Sequence, residues 1–294
     1  MSKNSNTEEK PLLRMLLAGI SSLAAQTVTH PIETIKARLQ ISGEKGRVTK
    51  GEYKSVLGTA KSILKNEGVV NGLYKGIKAA YAREMVYSSL RLGLYEPFKK
   101  LFGAEAHDTP IWKKFISASS AGLIAAACAN PIDFMKIRMQ TWEGVSYSLT
   151  WHIKQVYNDS GILGFYRGVQ ITMFRAMLIN GTKLSTYDTI KNAFKKRGFH
   201  DGVSLQFLCS FTAGLFMALV VAPFDLSRTR VFSQDPKHPQ YKGLYDCLRQ
   251  TVVNEGFKGL YKGFFPLWYR FGPFTVIQLV TWEQLRKMCG IKHL

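Results

Sequence analysis

Acidic side chains are in short supply. Asp and Glu number 20 against 40 Lys and Arg over 294 residues, a formal net charge of +20. That excess suits a surface facing anionic lipid headgroups or nucleic acid. No zinc-ligand spacing, RNP-like motif or concentrated basic block accompanies it, so nucleic acid is not an expected partner. Cysteine is sparse too. Cys128, Cys209, Cys247 and Cys289 form no CxxC and keep no regular spacing, and they read as buried reduced thiols. The 6 histidines are scattered without HExxH, so no metal site is expected. No nucleophile–base constellation or phosphate loop of enzyme type is visible, which argues against an enzyme. The N-terminus, MSKNSNTEEKP, is polar and carries two glutamates. It resembles neither a secretory signal nor an acid-free transit peptide, and any targeting signal is expected to be internal.

What is present is clustered. Mean hydropathy is only −0.06, yet residues 15–32, 116–132 and 204–224 contain no acid, lysine or arginine. The last run, at 21 residues, is long enough to cross a hydrocarbon core. Segments near 77–98, 169–190 and 264–285 are apolar but interrupted by charge, and a hydropathy scan scores such segments poorly. The reading is six membrane helices. Charges inside such spans are rare unless they line a path.

The chain repeats itself three times. PIETIKARLQ at 31–40 returns as PIDFMKIRMQ at 131–140 and as PFDLSRTRVF from 223. Each copy then has a polar stretch, a short amphipathic helix and a glycine-rich turn: EGVVNGLYKG (67–76), SGILGFYRG (160–168) and EGFKGLYKG (255–263). Copy two has Ser160 where the others have Glu67 and Glu255. A second long helix follows, ending YEPFK (95–99), YDTIK (187–191) and WEQLR (282–286). The expected divisions are a polar tail at 1–11 and repeats at 12–102, 112–197 and 203–289.

A proline inside a helix costs roughly 3 kcal/mol, and Pro31, Pro131 and Pro223 each stand two residues before an acid. They are expected to bend the odd helices inward so that the charges converge. Glu33/Lys36, Asp133/Lys136 and Asp225/Arg228 lie at one end of helices one, three and five. Tyr95-Glu96/Lys99, Tyr187-Asp188/Lys191 and Trp282-Glu283/Arg286 lie at the far end of the even helices. As i,i+3 pairs within one helix these contribute only tenths of a kcal/mol. In a three-unit ring each base can instead reach the acid of the next unit. Two such rings form gates that close one mouth while the other opens.

These motifs, three times over, resemble the mitochondrial carrier family (solute carrier family 25) across roughly residues 12–289. The resemblance implies an all-α membrane protein: six transmembrane helices and three short matrix helices in a pseudo-threefold barrel of the inner membrane, acting as a monomer. It places the 31/131/223 ends on the matrix side and the other ring at a cytoplasmic gate. Lys and Arg are evenly divided between the two sides and give no orientation of their own. Gln40 and Gln140 match the family's glutamine braces, and Phe232 takes that position in copy three, which implies two braces. The turns ending in Gly76, Gly168 and Gly263 match its cardiolipin-associated turns, cardiolipin being a structural lipid rather than a cofactor. Free N–H groups at helix starts suit phosphate.

With the gates and Arg38, Arg138, Arg230 and Lys78 set aside, the spans retain Arg83, Arg91, Arg175, Lys183 and Arg270 against the single acid Glu84. Arg83, Arg175 and Arg270 each precede a far-end acid by 13 residues and so share one depth. Three guanidiniums at one level make an anion site, because arginine forks match carboxylate, sulfate or phosphate oxygens. Arg91 and Lys183 are repeat-equivalent to each other and to Gln278, and read as a funnel or as support for the gate. These levels coincide with the family's substrate contact points, which adds Ala176 and Glu84 as neighbours of the arginines. The pattern resembles the branch with dicarboxylate and oxoglutarate carriers and uncoupling proteins. Gln26 and Lys183 stand where uncoupling proteins carry acids, and this speaks against proton leak. The expected substrates are small anionic metabolites, with Glu84 able to accept a proton or an amino group.

Overall fold

The computed structural model describes residues 11–44, 53, 55–104, 110–143, 147–196, 203–234 and 239–289. Every regular element among them is helical. Six helices are long: α1 (Pro11–Ile41), α3 (Ile77–Leu101), α4 (Ile111–Thr141), α6 (Val169–Lys196), α7 (Val203–Ser233) and α9 (Phe264–Met288). Three are short: α2 (Val56–Asn66), α5 (Leu149–Ser160) and α8 (Leu244–Glu255). The shortest of the six has 25 residues, about 37 Å at 1.5 Å per residue. Each short helix is followed by a single helical turn, a wide π turn at Val69–Leu73 and tighter 3-10 turns at Ile162–Tyr166 and Phe257–Tyr261.

Contacts between the long helices close a ring in the order α1, α3, α4, α6, α7, α9 and back to α1. The odd members α1, α4 and α7 also touch one another across the axis. Pro31, Pro131 and Pro223 lie inside unbroken helices. The chain thus accepts a missing backbone donor in each odd helix and still carries acid and base into the centre.

Beside buried apolar clusters such as Phe134, Ile171 and Phe232, part of the side-chain distribution is inverted. Leu16, Ile20, Val28, Ile124, Phe174, Phe216, Leu219 and Val280 are exposed, whereas Glu33, Asp133, Asp225, Arg38 and Arg230 are buried. Two helices, over Phe115–Thr141 and Phe211–Ser233, are apolar and long enough to cross a membrane by composition alone. In α3, α6 and α9 charges interrupt the run, and in α1 Gln26, His30 and several hydroxyls dilute it. The cysteines divide: Cys209 and Cys247 are buried, but Cys128 and Cys289 are exposed, against the expectation of four buried thiols. All four are free thiols.

The glycine turns interlock the repeats. Gly76 and Gly263 cap α3 and α9 with φ of 80° and 81°, and Gly168 has φ of 69°. Each abuts the signature segment of a neighbouring repeat: Gly76 faces Lys136 and Met139, Gly168 faces Val231 and Phe232, and Gly263 faces Lys36 and Gln40. A Cβ on Gly168 would lie 2.9 Å from the Phe232 ring. Gly168→Ala therefore meets two penalties, a left-handed backbone costing about 1–2 kcal/mol and a steric overlap. The expected result is a clearly lower thermal-unfolding midpoint. Gly161→Ala, with φ of 62° but open space around it, is expected to show the smaller backbone loss alone.

Candidate functional site

The three signature acids meet three bases at the centre of the ring. Lys36 Nζ lies 2.8 Å from Asp225 Oδ2, Lys136 Nζ 2.5 Å from Glu33 Oε2, and Arg228 Nη2 2.6 Å from Asp133 Oδ2. The base of each repeat pairs with the acid of the repeat before it, so the ring runs opposite to the sense expected from sequence. It is nonetheless closed, because the base of the first repeat reaches the acid of the third. All three acid side chains are at most 8% exposed. In such surroundings an unpartnered carboxylate is costly, and a paired one holds its partner firmly.

Arg83, Arg175 and Arg270 do not stand apart from this ring as free anion receptors. Arg83 Nε lies 3.3 Å from Asp133 Oδ1, Arg175 Nε donates to Asp225 Oδ1 at 2.8 Å, and Arg270 is paired with Glu33 Oε1. Each gate acid is therefore shared by two bases, one from the signature and one from an even helix. Sequence placed the three arginines at one level, but spacing along α3, α6 and α9 does not reveal that their side chains reach the signature acids. Glu84 is paired as well: it accepts from Arg83 Nη1 at 2.9 Å and from Ser88 Oγ at 3.2 Å. Tyr87 and Phe274 support Arg83 and Arg270 through their ring faces at 4.4 and 5.7 Å.

A cavity of about 250 Å³ lies against this layer. Lys36, Arg83, Arg91, Lys136, Arg175, Arg228 and Arg270 line it, with Glu33, Glu84, Asp133 and the small Ala176. Counting Asp225, bonded to Lys36 and Arg175, seven bases face four acids and leave a surplus of three positive charges. The volume falls below the 300–1,000 Å³ usual for drug-sized ligands, which suits a small anion. Arg91 is exposed and forms no hydrogen bond or ion pair among the described residues. Its equivalent Gln278 donates to Ser22 at 2.8 Å, and the side chain of Lys183 lies outside the described residues.

Gln40 braces the gate. Its Nε2 donates to Asp225 Oδ2 at 2.9 Å, while Thr229 Oγ1 donates to its Oε1 at 2.6 Å and so sets the amide's orientation. Gln140, expected to do the same, has a buried Nε2 without a hydrogen-bond partner among the described residues.

The far end is different. Lys99 pairs at 3.2 Å with Glu96 in its own helix, and Glu96 is 63% exposed. Lys99 also sits over the Tyr95 ring at 5.5 Å. Glu283 pairs with Lys287 in its own helix at 3.5 Å, and Arg286 makes further contacts. The expected ring is thus not assembled through Glu96 and Lys99. In water an in-helix pair is nearly as good as a distant one, since either contributes little. The side chains of Tyr187, Asp188 and Lys191 lie outside the described residues.

A second layer, set aside at the sequence level, supports the gate from outside. Arg38 donates to the Gln140 carbonyl at 2.7 Å and to both oxygens of Glu67 at 2.8 and 3.0 Å. Lys75 pairs with Glu67 at 3.3 Å. Copy three repeats the arrangement: Arg230 pairs with Glu255 at 2.7 Å and donates to the Gln40 carbonyl at 2.9 Å, and Lys262 pairs with Glu255 at 2.6 Å. In copy two Ser160 replaces the acid, and Arg138 donates to Gln155 Oε1 at 3.3 Å. Nearby His152 is fully buried. Burial, and then the charge of Arg138, hold its imidazole down to about 4, so it is neutral. The co-occurrence of arginine and EG-turn glutamate in copies one and three was the available signal. Among the described residues no His, Cys, Asp and Glu cluster could hold a metal ion.

Three helical repeats thus form a ring around a charged cavity bordered by shared ion pairs. The chain belongs to the mitochondrial carrier family, matching the description "Mitochondrial carrier protein" at residues 7–106, 107–198 and 200–293. It is 35% identical to the mitochondrial substrate carrier family protein ucpB of Dictyostelium discoideum, over 97% of this chain and 99% of that one. It is 33% identical to mitochondrial brown fat uncoupling protein 1 of Suncus murinus, over 94% and 91% of the two chains. It is 31% identical to a probable mitochondrial 2-oxoglutarate/malate carrier protein of Dictyostelium discoideum, over 95% and 90%. Members of the family transport small metabolites and are not enzymes.

The buried and exposed ends predict opposite responses to neutralisation. Asp225→Asn leaves Lys36 and Arg175 facing no charge, and breaking a buried pair costs about 3–5 kcal/mol. Glu96→Gln at the exposed end is expected to move stability by less than about 0.5 kcal/mol. Thermal unfolding of the two purified variants distinguishes them.

Proposed function

We propose that the protein is a mitochondrial inner-membrane antiporter of small divalent anions: dicarboxylates, oxoglutarate or inorganic oxyanions. The observation that carries this reading is the double use of the gate acids. Arg83, Arg175 and Arg270 line the cavity and are held by Asp133, Asp225 and Glu33. An oxyanion entering the cavity offers these guanidiniums other partners. As it takes them, each gate acid loses one of its two bases, so substrate binding lowers the cost of parting the ring. An empty carrier keeps all six bases on three acids and stays shut, which links opening to occupancy.

In this reading the six long helices span the membrane, their exposed apolar faces toward lipid and their charges toward the path. The ring of Glu33, Asp133 and Asp225 is then the closed matrix gate, while Glu96 and Lys99 of the cytoplasmic gate pair within their own helix. Arg91 and Lys183 attract incoming anions ahead of the arginine level. Cardiolipin phosphate occupies the turns at Gly76, Gly168 and Gly263, where helix-start N–H groups are unpaired by the helix. The carrier works as a monomer around one central path, with neither cofactor nor metal.

A second reading is an uncoupling-protein-like proton leak, supported by similarity to a protein so named. Gln26 and Lys183 weigh against it, since neither offers a carboxylate to carry protons.

Purified protein in liposomes is expected to exchange malate, succinate, oxoglutarate, sulfate or phosphate against internal anion. Arg175→Ala and Arg270→Ala are each expected to lower exchange by about a hundredfold or more, as for loss of one charge-assisted contact. Absence of exchange for every anion, or full exchange by the triple alanine variant, overturns the proposal. Proton flux without counter-substrate favours the second reading.

A further inference from the structure

Gln26 lies in α1 five residues before Pro31, where the other repeats have Ala126 and Ala218. It is 97% buried, and its Nε2 donates to Glu33 Oε2 at 2.7 Å. The same nitrogen lies 3.4 Å from His30 Nδ1. His30 Nε2 lies 3.0 Å from the Lys75 carbonyl. A carbonyl can only accept, so Nε2 carries a hydrogen, and in the neutral ring Nδ1 is then the acceptor. Both neighbours of the Gln26 nitrogen are therefore acceptors, and together they take its two hydrogens. That fixes which way the amide faces. Tyr74 stacks beside His30 at 6.1 Å, which ties the arrangement to the turn before α3.

We propose that Gln26 is the brace of the Glu33–Lys136 bridge, filling the role that sequence assigned to Gln140. Gln40 holds Asp225 in the same way, amide nitrogen to carboxylate, at 2.9 Å. Gln140 sits four residues after Lys136, yet its Nε2 makes no hydrogen bond among the described residues. The bracing amide comes from the acid's own helix rather than the base's, and His30 locks its orientation from behind. Gln26 also borders the cavity, but its two amide hydrogens are committed to Glu33 and His30, so it acts as a positioning residue through the grip of the gate on Glu33.

The proposal rests on the gate reading above, and its test separates the two. Thermal unfolding of the purified full chain is measured alongside anion exchange in liposomes. Gln26→Ala is expected to lower the unfolding midpoint by roughly 2–6 °C, as for loss of a hydrogen bond to a charged group. It is expected to raise kcat about threefold or more as the gate parts more easily, with KM little changed. Gln140→Ala is expected to move neither quantity, and His30→Ala to move both in the direction of Gln26→Ala. Combined with Glu33→Gln, Gln26→Ala should add much less loss of midpoint than it does alone. Additive losses, or losses that follow Gln140 instead, overturn the brace. Absence of transport in the unaltered protein counts against the antiporter reading, while the unfolding cycle still decides the brace.

Discussion

Burying a carboxylate without a partner costs several kcal/mol, and this molecule buries three around one axis. Glu33, Asp133 and Asp225 can occupy that position only because bases from a neighbouring repeat and from an even helix converge on them. The requirement explains much of the architecture. The odd helices tolerate an internal proline, the glycine turns close tightly on the neighbouring repeat, and many large apolar side chains are left on the exterior. Remove the convergence and the helices have little reason to bring charge to their common centre.

The same constraint links energetics to transport. Ion pairs in a low-dielectric setting are strong but exchangeable, because a guanidinium accepts any well-placed oxyanion in place of a carboxylate. A lock built from aliphatic packing would offer a solute nothing to compete for. In the proposed function, a lock built from shared arginines responds to an anion of the right size in a cavity of about 250 Å³. At the opposite end Glu96 pairs within its own helix in solvent, where no comparable desolvation enforces a partner.

The threefold plan and the gate acids were legible from sequence because repetition exposes them. PIET, PIDF and PFDL recur with a base three residues after the acid, and an in-helix pair contributing only tenths of a kcal/mol gives little reason for that recurrence. The partner of each base was not legible. Spacing cannot give the sense in which Lys36 reaches Asp225, nor the length over which Arg175 stretches to it. Gln26 stood out only as the replacement of an acid; its bond to Glu33 was not legible, because its counterparts Ala126 and Ala218 leave no trace of such a contact in the repeat. Arg38 and Arg230 are set aside with the gate charges in the sequence, although the glutamates of the EG turns, with Ser160 as the exception, mark their partners.

That exception has a mechanical consequence. Copies one and three hold their short helices to the gate helices through Arg38–Glu67–Lys75 and Arg230–Glu255–Lys262, while copy two has no carboxylate at Ser160. Asp133, in that same copy, is also the gate acid that receives neither Gln26 nor Gln40. Both weaknesses fall in one third of the ring. A plan written three times in the sequence therefore does not give three equal joints: the second copy is tied by fewer charges of its own, although Arg38 and Lys75 of the first still fasten the end of α4 through the Gln140 and Trp142 carbonyls.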